Sequence, residues 1–272
     1  MSFYDQTSDE EKSWYCIKTD RSSEHFGDCL ELMPLIPDKS IDMILADLPY
    51  GTTACKWDAV IPFKPLWKEY KRIIKNNGAI VLTASQPFTT ALINSNMQMF
   101  GYEWIWEKDK PTNFALANKQ TMKYHENICV FYKKQPTYNK QVTSGHKSMN
   151  VPSKRTTHGS AVKMDINKDY CGKTTRNPKS IIKFNTVKHN SPEGGGLHPT
   201  QKPVALFEYL IKTYTNENEI VLDNTAGVFT TAIACLNTNR KYIVMEKDKE
   251  YYRKGITRIA KWKKEKEEML PL

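Results

Sequence analysis

Four short apolar runs separated by helical patterns constrain the fold of this chain more than any other feature. The runs cover residues 41–46, 79–82, 220–222 and 242–245. Short, mostly apolar strands of this kind are typical of parallel sheets that helices cover on both faces. Apolar residues recur at helical spacing in 62–75, 203–214 and 249–268. The alternation of strands and helices predicts a doubly wound α/β sheet.

Two later runs, 102–106 and 128–132, predict strands that pair with each other as an antiparallel edge hairpin. The next 64 residues are rich in Lys, Asn, Thr, Ser and Gly and have little periodicity. We therefore expect three parts: a catalytic half in 13–132, an insert in 133–196 and a cofactor-binding half in 197–272.

The positive charge of the chain lies in that central segment. The formal net charge is +10, and residues 133–196 contain 13 Lys or Arg and 3 Asp or Glu, whereas the rest contains 27 of each sign. A localised basic field suits a polyanion, because neutralised phosphates release counterions. A solvated basic loop that aids solubility is the alternative. The candidate phosphate contacts are Lys154, Arg155, Lys173 and Arg176.

Other classes of protein find little support in the sequence. No apolar run approaches the ~18 residues of a membrane helix. Residues 1–12 are polar and acidic, which does not resemble a secretory signal and favours the cytoplasm. The six cysteines form no C-x-x-C pair and no zinc-type cluster, so we expect free thiols and no metal.

Three of the predicted strands end in an acid: Asp47, Asp223 and Glu246. In an open α/β sheet, ligands bind outside the carboxyl ends of the strands, where these carboxylates would meet. Each acid could instead cap the helix that follows it. Helix capping readily explains a single acid at a strand end, but it explains three such acids less well.

A turn and a distant acid predict a nucleotide-like ligand. Residues 223–227 form a turn with a glycine after a strand, and Glu246 follows 23 residues after Asp223. An acid at about this distance, at the end of the next strand, typically binds a ribose diol. The chain has no G-x-x-x-x-G-K-[ST] loop, which argues against an NTPase.

The tetrapeptide Asp47-Leu48-Pro49-Tyr50 is more distinctive. The exocyclic amine of adenine is a poor nucleophile, because its lone pair is conjugated with the ring. A carboxylate from Asp47 and a backbone carbonyl from Pro49 could each accept one of its N–H groups and direct the lone pair at a methyl donor. Tyr50 would stack on a base extruded from the duplex. An ordinary strand-to-loop exit is the alternative reading.

Together these motifs resemble the β group of amino-methylating DNA methyltransferases, a circularly permuted branch of the Rossmann-like class I methyltransferases. The likeness runs from about residue 28 to 259 and is weak only in the basic segment. In chain order the motifs are Gly27-Asp28-Cys29-Leu30, 42–50, Trp106-Glu107-Lys108, His125-Glu126-Asn127-Ile128, 198–203, 223–231 and 245–248.

The resemblance implies a role for each matching position. S-adenosylmethionine is the implied cofactor, with Asp28 and Cys29 beside its adenine and Glu246 on its ribose. Thr200 and Lys202 would hold the methionine carboxylate. The remaining residues at the methionine end would be Asp223, Thr225 and Gly227. The basic segment occupies the place of the target-recognition region.

Two positions depart from the family pattern. Leu48 stands where proline is usual, and Phe229 stands where the loop commonly has a glycine. A bulky residue at a point of close backbone approach would weaken cofactor binding. One alternative is therefore a nucleic-acid-binding protein with a weakened cofactor site. Two further alternatives keep the enzyme and change its substrate to cytosine N4 in DNA or to adenine in RNA.

In the resembling family, aspartate at position 47 usually accompanies adenine N6. The resemblance thus implies a site-specific adenine methyltransferase acting on double-stranded DNA, in the cytoplasm and nucleoid of a bacterium or encoded by a phage. It leaves open a restriction endonuclease partner, a homodimer and the recognition sequence.

Overall fold

The structure, a computed structural model, describes residues 16–53, 55, 58–148, 173–188, 197–198 and 200–268. Two compact units divide the chain: Lys140–Lys179 form the smaller unit, and the remaining residues form the larger. In the smaller unit, Thr143 and Arg176 form an isolated antiparallel bridge. The expected target-recognition role of 133–196 stays a prediction.

The larger unit contains one sheet of eight described strands in the order β1-β8-β7-β2-β3-β5-β4-β6. The strands are β1 Ser23–Phe26, β2 Ile41–Asp47, β3 Ile74–Ala84, β4 Phe100–Glu107, β5 His125–Phe131, β6 Ile181–Lys183, β7 Ile220–Asp223 and β8 Lys241–Glu246. Every neighbouring pair is parallel except the two that β5 forms with β3 and β4. The carboxyl ends of β1, β8, β7, β2, β3 and β4 therefore share one edge.

Six α-helices in the described part of the chain cover the sheet. They are α1 Cys29–Leu32, α2 Phe63–Ile73, α3 Phe88–Ser95, α4 Val204–Tyr214, α5 Thr230–Asn237 and α6 Lys249–Glu268. Short 3-10 turns occupy Met33–Leu35 and Phe114–Leu116. None of the helices in the described ranges is long and apolar enough to span a bilayer.

The core has two layers because successive strand residues point to opposite faces. Ile44 and Ala46 of β2 pack with α2 and α3 residues such as Leu66. Met43 and Leu45 pack with residues of α4 and α5 on the other face, including Phe207. This double burial explains why the sequence of β2 lacks the polar alternation of a half-exposed strand.

The predicted α/β class and its mostly parallel sheet are confirmed, and the two late strands pair antiparallel as expected. They are not the outermost pair, because β6 joins β4 on its far side. That strand has only three residues and lies in a polar stretch, so periodicity does not reveal it. Of its residues only Ile182 is buried. β1, α1 and α3 were also missed, since each is short.

Candidate active site

The three strand-ending acids meet at one edge of the sheet, as the sequence predicted. Asp47 ends β2, Asp223 ends β7 and Glu246 ends β8, and these three strands are neighbours. All three acids line one cavity of about 1130 Å³. The cavity also receives Asp28 and Cys29, which follow β1 at the same edge.

Asp47 is held by side chains from four parts of the chain. Its Oδ1 accepts a hydrogen bond from the Tyr50 hydroxyl at 2.9 Å and a short one from the Thr83 hydroxyl. Its Oδ2 lies 2.7 Å from Nζ of Lys202. Its backbone oxygen accepts a hydrogen bond from Thr225 at 3.1 Å. Asp47 is thus oriented by its environment and does not act as a helix cap.

The plane of the Tyr50 ring is set by its neighbours. The ring stacks on Phe88 with centroids 5.1 Å apart and an angle of 25° between the planes. Burial, followed by the negative charge of Asp47, raises the pKa of Tyr50 well above its usual value, so the hydroxyl remains a donor. Pro49 lines the same cavity as Asp47 and Tyr50.

Asp47 stands at one end of a row of ion-paired side chains whose charges alternate in sign. Lys202 contacts Asp47 and also lies 3.4 Å from Glu126, which in turn pairs with Lys108 at 2.8 Å. Burial by itself would lower the pKa of Lys202, but Asp47 and Glu126 raise it to about 12. Burial acts to raise the pKa of Glu126, yet the two lysines lower it. Both lysine side chains are almost fully buried.

The residues predicted to hold the methionine end surround a tight turn. Asp223 accepts hydrogen bonds from the Thr225 backbone N–H at 3.1 Å and from the Thr231 hydroxyl. Burial raises the pKa of Asp223 to about 7. Gly227 has a φ of 52° and donates to Glu246 at 2.7 Å. The backbone of the turn is therefore fixed by the two acids.

Glu246 accepts a second backbone hydrogen bond, from Asp248 at 2.7 Å, and burial raises its pKa. Asp28 caps α1 by accepting from the Leu30 N–H at 2.8 Å. The alternative that the strand-ending acids cap the following helices is wrong for Asp223 and Glu246: α5 has no side-chain cap, and Asp248 is the residue that accepts from the first N–H groups of α6. Asp28, Asp223 and Glu246 all line the cavity.

His198 lies beside the same turn. The ring of His198 approaches Gly227 so closely that a β-carbon there would lie 3.8 Å from it. Burial lowers the pKa of His198 to about 4, so the ring is neutral. Thr200 is exposed at the cavity and contacts His198 at 3.2 Å. Lys202 contacts two acids, while its role with a methionine carboxylate stays a prediction.

Two residues depart from the family pattern. The Phe229 ring points away from the cavity, and Leu48 leaves Asp47 and Pro49 in place beside it. Phe229 is fully buried and packs edge-to-face on Tyr252 at 5.6 Å. Its backbone is left-handed, with a φ of 63°, which suits glycine better. Gly255 makes room for the ring. Leu48 is buried in the core, so Asp47 and Pro49 keep their positions beside the cavity.

Sequence reasoning gave no role to Thr83, Lys108, Glu126 or Asp58. Lys108 follows β4 and Glu126 begins the antiparallel β5, so both reach the edge where β2 ends. Asp58 accepts three backbone N–H groups, from Gly51, Thr52 and Thr53, at 2.6 to 2.9 Å. The signal available was position: charged residues next to strand ends of the predicted hairpin.

The predicted DNA contacts are only partly described. Lys154 and Arg155 lie outside the described residues. Lys173 is exposed. The guanidinium of Arg176 donates to the backbone oxygens of Lys173, Thr175 and Lys147, so it also stabilises the smaller unit. Contact of these residues with DNA stays a prediction.

Comparisons with known proteins agree with this geometry. A family model described as DNA methylase matches residues 41–258. DNA adenine methyltransferase YhdJ of Escherichia coli (strain K12) is 27% identical over 245 residues, covering 86% of this chain and 81% of that protein. The M1.HpyAVI–SAM complex has a TM-score of 0.58 at 22% identity, over 87% of this chain and 98% of that chain.

A second solved structure, PvuII DNA methyltransferase (cytosine-N4-specific), has a TM-score of 0.64 at 17% identity, over 88% of this chain and 86% of that chain. At such identities the likeness shows the shared fold. The family match covers β2, the glycine turn and the cavity lining other than residues 27–30.

Proposed function

Because this chain belongs to the DNA methylase family, we propose that it transfers a methyl group from S-adenosylmethionine to the N6 amine of adenine in double-stranded DNA. It is an S-adenosylmethionine-dependent DNA methyltransferase. The choice of adenine is supported by the carboxylate at position 47 and by the named activity of the Escherichia coli relative.

One observation carries the proposal: the expected catalytic strand and the expected cofactor turn meet. The hydroxyl of Thr225 donates to the backbone oxygen of Asp47 at 3.1 Å. A base beside Asp47 and a ligand on the turn therefore share one cavity. Direct transfer requires this closeness, because the nitrogen must reach the methyl carbon.

The residues that line the cavity fit S-adenosylmethionine. Glu246 suits the ribose hydroxyls, and Asp223 suits the ammonium of the methionine part. Gly227 allows close approach of a ligand to the backbone, because nothing nearer than the His198 ring at 3.8 Å meets its open side. Asp28 and Cys29 line the end of the cavity beside β1. When bound, the cofactor supplies an electrophilic methyl group.

Asp47 and Pro49 then prepare the amine. Each accepts one N–H of the extruded adenine, which favours a tetrahedral nitrogen with its lone pair free. With the cofactor bound, N6 would take its methyl group as the sulfonium becomes a neutral thioether, and N6 would lose one proton to solvent. Lys202 and Thr83 hold the carboxylate in the orientation that this step needs. Tyr50 offers an aromatic surface for the base.

Replacing Asp47 tests the proposal. Asp47→Ala should lower methylation more than about 100-fold, since it removes a polar group that acts on the transition state. Calorimetry should show nearly unchanged S-adenosylmethionine binding, because the turn at 223–227 is untouched. Glu31→Ala, which removes an exposed acid outside the cavity, is the matched control. Near-normal turnover of Asp47→Ala would disprove the assignment.

The target base is tested separately by nucleoside analysis of DNA and RNA from cells that express the protein. We expect N6-methyladenine in DNA. N4-methylcytosine alone, or methyladenine only in RNA, would refute the adenine assignment and leave methyl transfer intact.

Two partners extend the proposal. A homodimer and a restriction endonuclease with the same target sequence are the assemblies suggested by the resembling family. Analytical ultracentrifugation of the full chain tests the homodimer. The endonuclease is tested by asking whether cells that carry this gene contain an activity that cuts unmethylated DNA at the target sequence.

A further inference from the structure

The loop between β4 and β5 stands at the mouth of the active-site cavity. β4 ends at Glu107 and β5 begins at His125, so the intervening residues lie at the edge where Asp47 lies. Asn113 and Leu116 line the cavity together with Asp47. Anything that enters the cavity from this side passes the loop.

The loop has a defined base. Its two ends are joined by backbone hydrogen bonds from Lys108 to Tyr124 at 2.7 Å and from Thr112 to Lys123 at 3.2 Å. The Asn113 side chain accepts from the Lys123 N–H at 2.6 Å and donates to the Thr121 oxygen at 3.0 Å. A 3-10 turn, Phe114–Leu116, forms the tip. The tip is thus held in place by its own polar contacts.

The surface of this loop is unusually apolar. Phe114 is 76% exposed, and Leu116, Met122 and Tyr124 are each 42–43% exposed. Single exposed apolar residues are ordinary, but four within eleven residues indicate an interaction surface. Phe114 does not line the cavity, so its ring is not part of the cofactor or base pocket.

The charge of the loop identifies the partner. Between Glu107 and His125 the chain has four lysines, at 108, 110, 119 and 123, and one acid, Asp109. An apolar tip with basic flanks suits duplex DNA, where lysines contact phosphates and an apolar side chain can enter the base stack.

We propose that Phe114 is a wedge that inserts into the DNA base stack next to the target adenine and holds the duplex open while the adenine occupies the cavity. Leu116, which is at once exposed and part of the cavity lining, guides the extruded base. The proposal rests on the methyltransferase function proposed above. It adds a DNA-distorting element outside the basic segment 133–196.

The test compares two DNA substrates that carry the target motif, which sequencing of host DNA identifies. One is a normal duplex, and in the other the target adenine faces an abasic position. Phe114→Ala should slow single-turnover methylation of the normal duplex about tenfold or more, because unstacking loses its support. On the abasic duplex the rate should stay within about threefold of wild type, because that base is already unpaired. Phe114→Trp should restore the normal-duplex rate.

A binding readout that needs no turnover accompanies the rates. With 2-aminopurine as the target base, wild type should raise its fluorescence on binding, and Phe114→Ala should raise it less. Met97→Ala is the matched control, because Met97 is 56% exposed and precedes β4 at the opposite edge of the sheet.

Several outcomes would overturn the wedge. They are an unchanged Phe114→Ala rate on the normal duplex, an equal loss on both duplexes, or a change in sedimentation that places Phe114 between two copies of the chain. Failure of the proposed function is distinct, because sequencing would then find no modified motif in host DNA, whereas failure of the wedge alone leaves wild-type methylation of both duplexes intact.

Discussion

At the scale of single residues, the geometry around Asp47 is set by charge. Lys108, Glu126, Lys202 and Asp47 alternate in sign, so each buried ion has an opposite neighbour. An isolated buried charge would cost several kcal/mol, and pairing offsets that cost. The row also explains how a carboxylate at the cavity keeps one orientation.

If Asp223 binds the cofactor's ammonium as proposed, cofactor binding should depend on pH. Burial raises its pKa to about 7, so the carboxyl is protonated below that pH and ionised above it. Only the ionised form attracts the cofactor's ammonium, so S-adenosylmethionine affinity should fall by up to about tenfold per pH unit below the pKa. Calorimetry between about pH 6 and pH 8 measures this fall.

Asp223→Asn is the control for that titration, because the amide does not ionise. The variant should bind S-adenosylmethionine more weakly than wild type, and its affinity should not change with pH over the same range. Glu246 nearby also has a raised pKa, so it is the other group whose titration could produce a slope. An equal slope in both proteins would assign the titration to Glu246 and contradict the role of Asp223.

At the scale of elements, the packing of α5 on α6 accommodates Phe229. The ring lies where a β-carbon on Gly255 would come within 2.4 Å. The glycine in a helix interior and the left-handed phenylalanine are each unfavourable alone. Together they direct the ring into the core and away from the cavity. The concern that Phe229 blocks the cofactor therefore finds no support in the packing.

The contact between Phe229 and Gly255 predicts that the effect of Gly255→Ala on stability changes sign when Phe229 is removed. Gly255→Ala should destabilise the protein by about 1–3 kcal/mol through overpacking. In a Phe229→Ala background the same change should stabilise by up to about 1 kcal/mol, because only the better helix propensity of alanine remains. Urea unfolding measures both free energies.

Thr257→Ala, at an exposed position of the same helix, is the control. It should change the free energy of unfolding by the same amount in the wild-type and the Phe229→Ala backgrounds. Equal effects of Gly255→Ala in the two backgrounds would show that the ring and the glycine do not interact.

At the scale of the whole molecule, the excess charge is confined to one segment of the chain, and this should govern DNA affinity. Replacing the candidate contacts by glutamine should weaken DNA binding and lower the salt slope by about 0.9 for each lost phosphate contact. The candidate contacts are Lys154, Arg155, Lys173 and Arg176. Titrations at several salt concentrations give the slope.

The matched control removes four lysines from the mixed-charge end of α6, where lysines alternate with acids. They are Lys261, Lys263, Lys264 and Lys266. An identical slope change in both variants would mean that net charge alone acts. Retained cofactor binding in the variant with Arg176 replaced would show that the larger unit is still folded, since Arg176 also holds backbone oxygens of the smaller unit.

Much of the site could be read from local patterns. Apolar runs that end in Asp47, Asp223 and Glu246 located the sheet edge, because strand burial and strand ends are local properties. The role of Glu126 could not be read in this way. It depends on β5 running antiparallel, which brings the start of that strand to the same edge.

The order of residues by itself determined the α/β class, the placement of the tetrapeptide 47–50 at a strand end and the confinement of charge. Each of these follows from burial period, backbone chemistry or simple counting. Only the tertiary structure decided that Lys202 pairs with Asp47, that Phe229 turns into the core, and that Phe114 stands exposed beside the cavity. The physical reason is that contacts between distant residues depend on strand order and direction, which local periodicity does not encode.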